Sequence, residues 1–278
     1  MSDRLLSGHD PLDAVLGGGL PANAISIIMG LPGTGKTIIA QQYAFQNGRP
    51  DRPAVYFSTV SEPLEKIVRF GQGLDFFDRA EVGRSVLYEN LGATVSNDGL
   101  GGVTRQIATV LKERRPGLIV IDSFKALHPF ADSPSQFRRF LHELAGRLSV
   151  FPVASLWVGE YEEAEVGSLP EFAVADAIVD LTTERIGHRG IRFLTVRKLR
   201  GGGFPSGRHE PGELVGSGTN LGGHRGVPGL PVEQRIGRRG GGGVEDRFAA
   251  QFVVRDRLGR PVSGGVRLGR DEPSQEGE

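Results

Sequence analysis

Short apolar runs alternate with longer stretches of helical periodicity from the start of the chain to about residue 200. β-rich runs at 25–29, 54–60, 86–89, 118–122, 153–158, 177–181 and 191–197 predict strands, and amphipathic stretches near 37–47, 62–72, 99–114 and 134–148 predict helices. Strand and helix in alternation is the pattern of a mostly parallel sheet flanked by helices, an α/β fold. The run 118–121 is apolar throughout, as a strand covered on both faces must be, and is expected at the sheet centre. Trp157, the single tryptophan, falls in another apolar run and is expected in the core.

The pattern fails after about residue 201. Roughly half of the 42 glycines lie beyond it, no lysine does, and arginine is abundant. Segments such as Arg238-Arg239-Gly240-Gly241-Gly242-Gly243 carry no period, so little packed structure is expected there apart from a short strand at 248–254. The predicted organisation is one α/β domain over 1–210 and a Gly/Arg-rich, low-complexity, largely disordered extension over 211–278. Aromatic residues are nearly absent from the Arg/Gly tract, which favours a plain extension over a nucleic-acid-binding tail.

Composition narrows the class further. With 278 residues the chain can bury a sizeable core, and its lack of cysteine excludes disulfide scaffolds and thiolate metal sites. The 33 acidic and 33 basic residues cancel, leaving no global attraction to nucleic acid or anionic membrane. No apolar run approaches the roughly 20 residues needed to cross a bilayer, and nothing resembles a signal peptide. A soluble, cytoplasmic protein without membrane contact is expected. His9, His128, His142, His188, His209 and His224 are too scattered to suggest a metal site.

One motif carries chemistry. Gly30-Leu31-Pro32-Gly33-Thr34-Gly35-Lys36-Thr37 fits the phosphate-loop pattern and lies between a predicted strand and a predicted helix, where that pattern has a mechanism. Its backbone N–H groups, from Gly30 through Ile38, are expected to cradle a polyphosphate at the helix N-terminus. Lys36 would reach the β- and γ-phosphates, and the Thr37 hydroxyl would ligate Mg²⁺. Asp122 ends the apolar strand 118–122, on the side of an open α/β sheet where ligands bind, and is the candidate carboxylate for the metal. Ser123 follows and could hydrogen-bond the γ-phosphate or the attacking water. ATP and Mg²⁺ are the implied ligands.

Together with Ser7-Gly8, Leu12-Asp13, Gly17-Gly18-Gly19-Leu20-Pro21, the Ile119–Ser123 stretch and Arg197-Lys198-Leu199-Arg200-Gly201, the motif resembles the KaiC family of RecA-like ATPases over about 7–209. The resemblance implies a RecA-like P-loop core and homo-oligomeric rings, often hexamers, with nucleotide held between subunits. It assigns Lys198 and Arg200 to the neighbouring subunit's ATP and a glutamate past the second strand to the attacking water. Here Ser61 replaces the first of two family glutamates and Glu62 remains as the catalytic candidate. Acceptor hydroxyls of the clock-type kinase domains are replaced by Phe172 and Ala173, so autokinase activity is not expected. The implied function is a slowly hydrolysing oligomeric ATPase switch in signalling or regulation, acting on an unknown regulatory protein. The alternatives are a non-hydrolysing ATP sensor or scaffold and a DNA-dependent ATPase of recombinase type. Against the last stands the loop 159–167, with four carboxylates and no cation.

Overall fold

The computed structural model describes residues 4–60, 64–186, 189–201, 252–255 and 261–262. In chain order the strands are β1 Arg4–Leu5, β2 Leu20–Pro21, β3 Ile25–Gly30, β4 Ala54–Ser58, β5 Val86–Asn90, β6 Leu118–Asp122, β7 Ala154–Gly159, β8 Ala177–Ile186, β9 Arg189–Leu199, β10 Phe252–Arg255 and β11 Pro261–Val262. The helices are α1 Asp10–Val15, α2 Lys36–Asn47, α3 Leu64–Gly71, α4 Gly92–Arg114, α5 Pro134–Val150 and α6 Glu171–Val174. β1 and β2 pair by themselves, and the other nine strands form one sheet in the order β11-β10-β9-β8-β3-β7-β6-β4-β5.

From β8 to β5 every neighbouring pair is parallel, which the intervening helices make possible. β9 then returns antiparallel to β8, and β10 adds parallel to β9. Successive side chains of a strand point to opposite faces, so each inner strand feeds two cores. Ile27, Met29, Ile119, Ile121 and Trp157 pack with Leu111, Leu141 and Leu144 of α4 and α5. Ile28, Val120, Leu156 and Val158 pack on the other face with Leu12 of α1, Leu16 just after it, and Ile39 and Tyr43 of α2. Trp157 is 1% exposed and stacks on Phe124 with ring centroids 4.1 Å apart, as its apolar setting predicts.

Several expectations shift in detail. β6 is buried along its whole length and lies inside the sheet, but the middle of the nine strands is β3. α4 begins at Gly92 rather than 99, because a bend at Gly99 (φ 62°, ψ −163°) joins an extra segment to the expected helix. The extension past 210 contributes β10, whose four residues pair with Arg192–Thr195, and β11. The strand expected at 248–254 therefore overlaps β10. The rest of that extension lies outside the described residues.

Candidate functional site

The phosphate loop joins the end of β3 to the start of α2, as its sequence position predicts. β3 runs close to β8 at this point: a Cβ on Gly30 (φ +144°) would sit 2.2 Å from the Leu181 carbonyl oxygen, so only glycine fits. Gly35 (φ +100°) is the N-cap of α2 and supplies no capping side chain, which leaves the first N–H groups of the helix for a ligand. Lys36 is 7% exposed, and its ammonium donates to the Leu31 carbonyl at 2.9 Å. Thr34 Oγ1 donates to the same oxygen. Burial holds the Lys36 pKa below the ordinary lysine value, and the charges of Glu160 and then Asp122 offset part of that effect. A buried ammonium held by one backbone carbonyl is poised to exchange that partner for phosphate oxygens.

Asp122 stands beside this loop because β6 ends level with it, two strands away across β7. Its Oδ2 accepts hydrogen bonds from Thr37 Oγ1 at 2.7 Å and from the Tyr56 hydroxyl at 2.6 Å. Thr37 and Asp122 thus meet as the motif predicts. Two oxygen donors at this distance fit a hard divalent cation that completes its shell with phosphate oxygens and water. Tyr56, buried on β4, fixes the carboxylate from behind; the sequence shows no sign of this, because the contact depends on the register of β4 beside β6. The ends of these strands are laced by Thr59: its N–H donates to the Asp122 carbonyl at 2.9 Å, and its hydroxyl takes the Ser123 N–H and donates to the Ser123 carbonyl. Ser123 is 8% exposed, next to a cis peptide bond with Asp122.

Glu62 lies outside the described residues. Glu160 follows β7, which is hydrogen-bonded to β3, and its charge acts on Lys36. Its position just beyond the carboxyl end of a parallel strand was the signal available in the sequence. Arg192 was also missed. It sits on β9 opposite Thr183, two residues beyond the Leu181 that pairs with Gly30. Its Nη1 is 4.0 Å from where a Cβ on Gly35 would lie, which brings a guanidinium beside the phosphate loop of the same chain.

Lys198 and Arg200 go elsewhere. Leu199 pairs with Ala177 and Ala177 with Ser26, so both cations lie at the amino end of β3, about 15 Å along the strand from the phosphate loop. Lys198 Nζ donates to the carbonyls of Phe172 and Ala173 at 3.3 and 3.4 Å. Burial, then the charge of Arg200, lowers its pKa, while Asp176 acts in the opposite direction. Arg200 pairs with Asp176 at 3.4 Å. The structure does not bring these two side chains to the nucleotide site of their own chain. A bulge between Ile178 and Val179 makes Arg197 the extra residue of β9, and its guanidinium grips the buried Asp180 carboxylate at 2.6 and 2.8 Å.

A parallel sheet with a phosphate loop after β3 and a carboxylate at the end of β6 defines a P-loop nucleoside triphosphatase of RecA-like architecture. Residues 7–211 match the family described as ATPase: KaiC, and the chain belongs to that family. It is 30% identical over 239 residues to a UPF0273 protein of Methanopyrus kandleri, covering 79% of this chain and 92% of that one. A UPF0273 protein of Thermotoga maritima is also 30% identical, over 236 residues, 78% of this chain and 95% of that protein. The circadian clock oscillator protein KaiC of Rippkaea orientalis is 26% identical over 223 residues, which are 75% of this chain and 42% of that longer protein. The chain is thus an ATP-binding ATPase of the KaiC family. Among the described residues, no helix is long and apolar enough to cross a membrane.

Proposed function

We propose that the chain is a slow, Mg²⁺-dependent ATPase that works as a homo-oligomeric switch, with each nucleotide shared between two subunits. The observation that carries this reading is the course of β9. Lys198 near its end and Arg200 just past it sit at the opposite end of the sheet from their own phosphate loop, which supports a role at a neighbour's nucleotide. A cation presented in trans to a transferred phosphoryl group stabilises the charge that develops there, and it makes hydrolysis depend on the state of the interface.

The other roles follow from the chain's own groups. The loop amides and Lys36 bind the phosphates, and Lys36 leaves the Leu31 carbonyl to do so. Thr37 and Asp122 would hold Mg²⁺, which neutralises phosphate charge when bound. Tyr56 keeps Asp122 oriented. Arg192 is a cation available to the nucleotide within the same subunit. Glu62, at the start of the segment after β4, is assigned to the attacking water. Autophosphorylation is not part of this reading, since Phe172 and Ala173 offer no acceptor hydroxyl. Nor is DNA, because the loop after β7 is acidic and the nearby cations Arg197 and Lys125 are taken up by its Glu163 and Glu165.

The test mixes two inactive proteins. Arg200→Ala and Glu62→Gln should each bind ATP and hydrolyse it poorly. Mixed rings contain interfaces where an intact Glu62 faces an intact Arg200, so the mixture should recover part of the activity in proportion to random assembly. Subunit exchange is followed in parallel with labelled protomers. If exchange occurs and phosphate release stays at the level of the parents, the shared-site reading is wrong.

A further inference from the structure

At the end of the sheet opposite the phosphate loop, a cavity of about 410 Å³ opens between the starts of three strands and the end of α4. It is lined by Arg52 before β4, Leu111, Lys112 and Arg115 at the end of α4, Pro116 before β6, and Phe151 and Pro152 before β7. β4, β6 and β7 are five or six residues long, so the cavity is about 15 Å from the ends that carry Thr59, Asp122 and Glu160. It is no part of the nucleotide site.

Its chemistry is one-sided. Three cations line it and no carboxylate does. Among the described residues, neither Lys112 nor Arg115 has an ion pair or a side-chain hydrogen bond. The Arg52 guanidinium is oriented by donating to the Pro152 carbonyl, and its stem lies over Gly117, where a Cβ would meet it at 3.1 Å. Arg115 holds a left-handed backbone conformation (φ 47°) that arginine adopts at a cost and that glycine or asparagine would take more readily. Between the cations, half-buried Phe151 and exposed Pro152 offer apolar surface, with Leu111 and Pro116 buried behind them. Concave apolar surface with a few convergent polar groups is the usual make-up of a small-molecule site, and the volume lies in the usual range.

We infer that this cavity binds a small organic anion: an apolar, flat or acyl body carrying one carboxylate, sulfonate or phosphate. The apolar body rests against Phe151 and Pro152. The anionic group meets Arg52, Lys112 and Arg115, which present donors and no competing acceptor charge. A bare inorganic anion would leave the apolar surface unused, and a neutral body would leave the cations unpaired.

The probe is naphthalene-2-sulfonate, titrated calorimetrically into the full chain saturated with ADP and Mg²⁺ so that the phosphate loop is already filled. Naphthalene-2-sulfonamide and inorganic phosphate serve as the uncharged and body-less controls. Saturable binding of the sulfonate below about 1 mM is expected, at least about tenfold tighter than either control. The double variant Lys112→Gln/Arg115→Asn keeps a residue suited to the left-handed position and should weaken the sulfonate by about tenfold or more, with an unchanged melting transition. Arg115→Asn alone repeats the measurement with a smaller expected loss should the double variant melt early. Absence of saturable heat, equal affinity for the sulfonamide or for phosphate, or undiminished binding in folded variants would each overturn the assignment.

Discussion

Lys36 illustrates how one side chain can be good for function and poor for stability. Its ammonium is almost fully buried, with a backbone carbonyl as its hydrogen-bond partner, and burial lowers its pKa. A folded pKa below the unfolded one means that between the two values the unfolded chain binds more protons, so the penalty is full below the depressed value. It fades as pH rises from the depressed value toward the ordinary value of 10.5. Lys36→Met should therefore raise the nucleotide-free melting temperature at pH 7 by a few degrees, corresponding to about 1 kcal/mol. That advantage should shrink at alkaline pH, and added ATP should stabilise the parent but not the variant. Calorimetric melts at several pH values, with and without ATP, check all three.

At this scale the sequence was legible where a local motif holds the chemistry, as for Lys36 and Thr37, or where a strand end does, as for Asp122. Tyr56 and Arg192 were not legible, because each reaches the site through strand register. Tyr56 matters only because β4 lies beside β6, and Arg192 only because β9 runs back along β8 past the phosphate loop.

Among the elements, the alternation of apolar runs and amphipathic stretches located β3 to β9, though β8 runs on to Ile186, past the expected 177–181. It understated α4, whose first segment is joined across Gly99, and it gave a short strand in the tail without showing that this strand joins the sheet. A four-residue strand inside a glycine-rich tail has little periodic signal, yet β10 pairs with β9 over Arg192–Thr195. Without it, the backbone groups that β9 offers to its partner would be unpaired, and such an edge invites pairing with another chain. Ending the chain at Gly201 should lower stability by about 1–3 kcal/mol and promote self-association through the bared edge. Thermal melts with light scattering, compared against the full chain, measure both. An unchanged melt would mean that β10 contributes nothing to the sheet in solution.

For the molecule as a whole, the two proposed sites lie at opposite ends of the parallel strands. The carboxyl ends gather Gly30, Asp122 and Glu160, and the amino ends of β4, β6 and β7 surround the basic cavity. The proposed shared site predicts a nucleotide-dependent assembly: with ATP and Mg²⁺ the native mass should be that of a closed ring, and without nucleotide smaller species should accumulate. Native mass spectrometry reads this directly, and a monomer under both conditions would contradict the shared site.

β9 gives that assembly a mechanical aspect. Arg192 near one of its ends faces the phosphate loop of its own subunit, and Lys198 and Arg200 occupy the other end. Six residues of extended chain separate Arg192 from Lys198, about 20 Å. The strand is hydrogen-bonded to β8 along its length and to β10 over part of it, so it resists bending. In the proposed ring it would act as a stiff lever. A small tilt at the end that senses one nucleotide would move the cations at the other end against the next, linking consecutive sites through a single piece of backbone.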